Sequence, residues 1–155
     1  MLDQPELGTA KVEVLKILYP WYKEEVFRRR EQMMRLTAFA GAFLVLLLVT
    51  MLAVPPSDTH GLTGKLFAIT GIALFSATFA YLILQQRDRH RMAKQALIEI
   101  ERALGLFDEG AYLLDKALYP KDWQTAWLGD KSVIVYLSVL AALTVLVIAA
   151  ALLRP

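Results

Sequence analysis

The sequence predicts an all-α integral membrane protein with three transmembrane helices, the first two extending into a cytoplasmic antiparallel helical hairpin. Three observations carry that prediction. Residues 36–54, 66–84 and 133–153 contain no Asp, Glu, Lys, Arg or His, and each approaches the roughly 20 apolar residues a helix needs to cross a hydrocarbon core about 30 Å thick. Of the 17 Lys and Arg, 15 fall within 1–35 and 85–132, which is the one-sided distribution of the positive-inside rule. Helical periodicity also continues from the first two apolar blocks into charged sequence, so those helices outrun the bilayer.

The 57% hydrophobic content alone would suit one soluble domain, but surface helices of a soluble bundle keep a polar face and these blocks have none. The first block follows a charged stretch of 35 residues, too long and too charged for the short basic start of a cleaved signal peptide. Arg28, Arg29, Arg30 and Arg35 flank the first span, and Arg87, Arg89, Arg91 and Lys94 flank the second. The N-terminus is therefore expected in the cytoplasm, the link between the first two spans outside, the segment after the second span inside, and the C-terminus outside. The expected location is the cell (inner or plasma) membrane.

Along the chain, residues 1–19 read as an amphipathic N-terminal helix with Val12, Leu15 and Leu18 on one face, halted at Pro20 because proline disfavours helix in the residue before it. Glu13 between Lys11 and Lys16 argues for packing on protein rather than on lipid. Residues 20–105 form the hairpin, with spans 36–54 and 66–84. Below the first span Tyr22, Val26, Phe27, Met33 and Met34 share an apolar face, while Glu24 with Arg28 and Glu25 with Arg29 have favoured i,i+4 spacing. Below the second span Met92, Ala93, Ala96, Leu97, Ile100 and Leu104 follow at helical spacing until Gly105, the left-handed residue expected just past a helix. At 1.5 Å per residue these extensions reach about 22 and about 30 Å, comparable enough to pair through Tyr22, Val26, Met33, Met92, Ala96 and Ile100.

Within the bilayer, association rests on close packing, so small residues mark expected helix contacts: Ala38, Gly41 and Ala42 in the first span, Ala73, Ala77 and Ala80 in the second. Residues 106–131 form a cytoplasmic connecting segment with a turn at Asp108-Glu109-Gly110 and a short helix over 111–118. In it Trp123 and Trp127 are expected as interface anchors, since amphipathic rings favour the headgroup layer. Asp130 can cap the third helix, 132–155, through its first N–H groups.

Chemistry is sparse. With no cysteine, disulfides, thiolate nucleophiles and Cys-ligated metals are excluded. Intramembrane charges, which mark transport paths and proton relays, do not occur, and the Ser and Thr of the spans can satisfy themselves on their own helix backbone. The two histidines, His60 and His90, are expected on opposite membrane faces, and His90 between Arg89 and Arg91 reads as solvated. Gly61-Leu62-Thr63-Gly64-Lys65 has two residues where a phosphate loop needs four between its glycines, and Leu66 where it needs Ser or Thr. No pairing of carboxylates supports acid–base catalysis.

The reading is a non-enzyme without cofactor or metal. Its net charge of +2 gives no electrostatic footprint for nucleic acid. The expected partners are the lipid bilayer and copies of the chain or a larger membrane complex, with Arg28, Arg29, Arg30, Arg87, Arg89 and Arg91 as candidate contacts to anionic lipid or a partner. The expected function is that of an oligomeric or accessory scaffolding subunit whose cytoplasmic helices dock a partner. The alternative is a self-assembling pore-forming or membrane-perturbing effector gated through those helices, a layout similar to small bacterial defence-associated membrane effectors.

Overall fold

The computed structural model describes residues 9–53, 61–126 and 131–153. Among them the chain is helical without strands: α1 (Thr9–Ala53), α2 (Leu62–Ala103), a one-turn α3 (Trp123–Ala126) and α4 (Ser132–Leu153). Three of these, α1, α2 and α4, are long and apolar enough to cross a membrane. The residues separate into two compact units, Met1–Arg29 with Asp88–Gly129 and Arg30–Arg87 with Asp130–Pro155.

The second unit is built on one cluster. Met33, Ala40 and Leu44 of α1, Ile72 and Ile83 of α2, and Val133, Leu140 and Val147 of α4 form its buried core. Phe39 stacks on Phe79 at 5.8 Å and Phe43 meets Phe75 at 4.6 Å, so contacts descend along α2 as they rise along α1. A β-carbon built on Gly41 would lie 3.5 Å from Leu143 Cδ1, which brings α4 against α1. Every helix buries one seam and leaves the rest of its circumference outward.

The first unit packs Val26 of α1 against Ala93 and Leu97 of α2, with Tyr19 and Tyr22 beside them. Here the structure corrects the expected sealing face. Met92 is exposed, Ala96 half-buried, and Phe27 and Met34 point outward, while Met33 belongs to the other cluster. The reason is a seven-residue rhythm. On α2 positions 72, 76, 79, 83, 86, 90, 93, 97 and 100 are all buried or half-buried, and on α1 so are 12, 15, 19, 22, 26, 29, 33, 36 and 40. Alternating steps of three and four keep a seam facing its neighbour, as in coiled coils.

Three local features also depart from expectation or sharpen it. Pro20 lies inside α1 rather than ending it. An internal proline costs about 3 kcal/mol; here α1 runs on through it, with Tyr19 and Tyr22 beside it packed against the Val26, Ala93 and Leu97 cluster. At the end of α2, Gly105 adopts φ +70°; its N–H bonds the Arg102 carbonyl at 3.0 Å and the Leu106 N–H bonds that of Glu101 at 3.0 Å. These two bonds define a Schellman cap, as Gly105 predicts. Over 111–118 no helix forms. Asp115 sits at φ 60°, a conformation that a right-handed helix excludes, and Leu113 bridges Lys116.

Candidate functional site

The polar groups that α1 and α2 place near the cationic flanks are the chain's candidate functional residues. Arg28 pairs with Glu24 at 2.7 Å and Arg35 with Glu31 at 2.6 Å, and Arg29 pairs with Glu25. All three partners lie one turn earlier, the favoured order for a helix. Arg30, Arg87, Arg89 and Arg91 are exposed. The arginines of α1 are thus largely offset within their own helix.

His90 is not solvated, contrary to its sequence neighbourhood. It is 2% exposed, and its Nδ1 lies 3.0 Å from the Val26 carbonyl oxygen. Sequence reasoning missed its burial. The signal was present: Ser76, Ile83, His90 and Leu97 repeat every seven residues, and all four are buried, so the register of the seam outweighs the charge of Arg89 and Arg91.

A second polar group joins three stretches of the first unit. The Tyr19 and Tyr119 hydroxyls are 2.9 Å apart, and Glu101 interacts with the Tyr19 hydroxyl. Desolvation raises the Glu101 carboxyl above its ordinary range, against the hydrogen bond from Tyr19 and the charge of Lys23. Desolvation likewise pushes the Tyr19 phenol up, aided by Tyr119. Tyr119 also packs against Phe107 and Trp123, at 6.0 and 5.5 Å. Trp123 therefore has a place in an aromatic group of the connecting segment, while Trp127 and Asp130 lie outside the described residues.

The small residues divide. Gly41 and Ala80 are half-buried, whereas Ala38, Ala42, Ala73 and Ala77 face outward. Within the chain the closest burial falls instead on Ala40 and on large side chains such as Leu44 and Ile83. The hydroxyls behave as the sequence suggests at Thr37, Thr50 and Thr78, each donating to the carbonyl four residues back. Thr144 differs: its Oγ1 lies 2.7 Å from both the Leu140 carbonyl oxygen and Ser76 Oγ, linking α4 to α2.

No family model matches the chain, and no curated protein or solved structure matches it either. Function must rest on the geometry itself. Among the described residues, no group of three or more His, Asp or Glu side chains could hold a metal ion.

Proposed function

We propose that this chain is a small non-enzymatic multi-pass membrane protein. It acts as an oligomeric or accessory scaffolding subunit, with α1 and α2 forming an antiparallel membrane hairpin whose cytoplasmic extensions dock a partner. One observation carries the membrane part. In the apolar windows of α1, α2 and α4 only 11%, 17% and 17% of residues are buried. The outward side chains include Phe39, Leu46, Leu52, Phe67, Leu74, Ile134, Leu146 and Leu153. Each would forgo about 1.5–3 kcal/mol by standing in water, which supports an apolar solvent around these helices. The positive-inside distribution then supports N-terminus in and C-terminus out at the cell membrane.

Lateral association is supported by Ala38 with Ala42 and Ala73 with Ala77. These are small residues four apart on outward faces, the spacing at which membrane helices approach closely. Ser138, Ala141 and Ala142 on α4 are also exposed. The test is purification of the full chain into nanodiscs followed by mass measurement. The expected result is a defined oligomer or a stoichiometric complex with a larger membrane protein. A lone monomer overturns the subunit reading, and depolarisation of expressing cells, read with a membrane-potential dye, favours the effector instead.

A further inference from the structure

We propose that the outward face of α1 carrying Val14, Ile17, Trp21, Glu24 and Arg28 docks a second copy of this chain, with the two α1 helices side by side and parallel. This rests on the subunit reading above and names both the partner, the chain itself, and the face it uses. All five residues belong to the first unit. Val14, Ile17 and Trp21 are 53%, 72% and 57% exposed. The face stands about 150° round the helix from the seam of Val12, Leu15, Tyr19, Tyr22 and Val26, so the residues that pack on α2 do not cover it. Residues 22–35, which part Trp21 from the first uncharged block, include eight charged ones, and on the membrane reading the patch therefore lies in water. Large apolar side chains exposed there on consecutive turns of one face mark an interaction surface.

Spacing fits a parallel helix. Positions 14, 17, 21, 24 and 28 alternate steps of three and four, the heptad rhythm by which helices pair side by side. Copies inserted the same way in one membrane are related by rotation about its normal, so their α1 helices share a direction and like residues meet at like height. Trp21, between the apolar and the charged part of the face, is of the residue type that most often anchors such contacts.

Charge selects a copy of the chain over an unrelated partner. Glu24 and Arg28 pair at 2.7 Å, and both side chains are more than half exposed. Helical side chains lean toward the N-terminus, so across a two-fold axis each Arg28 reaches back between its own Glu24 and that of the second copy. The two signs alternate along the face and sum to zero. The face is thus complementary to itself when the helices are parallel and in register.

The full chain has no cysteine, so single introduced thiols map the face by oxidative cross-linking in isolated membranes. Val14→Cys and Ile17→Cys should form cross-linked dimers at about tenfold or more the yield of Lys16→Cys and Lys23→Cys, because a heptad contact brings its seam positions together and holds the others apart. Lys16 and Lys23 are also exposed but stand on another side of the helix. In the Ile17→Cys chain, Glu24→Arg alone and Arg28→Glu alone should each lower the yield about two- to fivefold, the worth of an exposed ion pair. Membranes holding both of these chains, differently tagged, should recover the yield as mixed dimers, which also shows that each variant is folded. Equal yields at all four positions, cross-linking to a different protein, or no recovery in the mixed membranes overturns the proposal. A lone monomer in the nanodisc mass measurement refutes the subunit reading itself, whereas an oligomer whose thiols at positions 14 and 17 do not cross-link refutes this face alone.

Discussion

The imidazole of His90 contributes both volume and a bond to the seam between α1 and α2, with Nδ1 3.0 Å from the Val26 carbonyl oxygen. His90→Ala removes both and should destabilise the first unit by about 2–3 kcal/mol; His90→Leu keeps the volume and should lose about 1 kcal/mol. Hydrogen exchange of the α2 amides after residue 90 measures the difference, and equal protection in all three proteins would contradict the role. Gly105 makes a backbone case. It sits at φ +70°, and a β-carbon added there would lie 3.3 Å from Asp108 Oδ2. Gly105→Ala should therefore cost about 1–2 kcal/mol and fray the last turn of α2 in the same exchange experiment. Glu101 makes a pH case. Burial raises its folded-state carboxyl above the unfolded value, so the native chain binds more protons across that window and stability falls as pH rises through it. Tyr19, also raised, extends the same sign into the alkaline range. Glu101→Gln should flatten the acid-side slope of thermal stability, and an unchanged slope would sink this assignment.

At the scale of elements, the helices were legible because two signals agreed: uncharged blocks set their apolar stretches, and Gly105 set the end of α2. Faces were less legible. Phe27 and Met92 look like core residues by hydrophobicity, but the steps of three and four that run through Val26 and Ala93 turn them outward. A seam of that kind is visible only when both helices are read over many turns. The connecting segment was least legible, since its order comes from single contacts such as the Tyr112 hydroxyl donating to the Leu104 carbonyl oxygen at 2.7 Å rather than from a repeating pattern. Pro20 shows propensity overridden by packing. Pro20→Ala should therefore strengthen α1, raising the stability of the first unit by up to about 3 kcal/mol. A decrease in protection of amides 16–26 would show that the proline instead matches a needed local geometry. The Thr144 to Ser76 contact, by contrast, should matter little: Thr144→Val is expected to cost about 0.6 kcal/mol.

For the whole molecule, the candidate site was half legible. The arginines were evident in the sequence, but which of them are already offset by glutamates depended on side-chain pairing. The burial of His90 depended on register. The larger proposal, that lipid surrounds α1, α2 and α4, uses features no single residue carries. Because the chain has no cysteine, one introduced thiol reports its own compartment without interference. Asp58→Cys and Asp115→Cys, expressed separately and treated with a membrane-impermeant maleimide on intact and opened cells, test the proposal most directly. Labelling of position 58 in intact cells and of position 115 only after opening is the predicted result. Equal labelling of both in intact cells, or recovery of the chain in the soluble fraction without detergent, would contradict it.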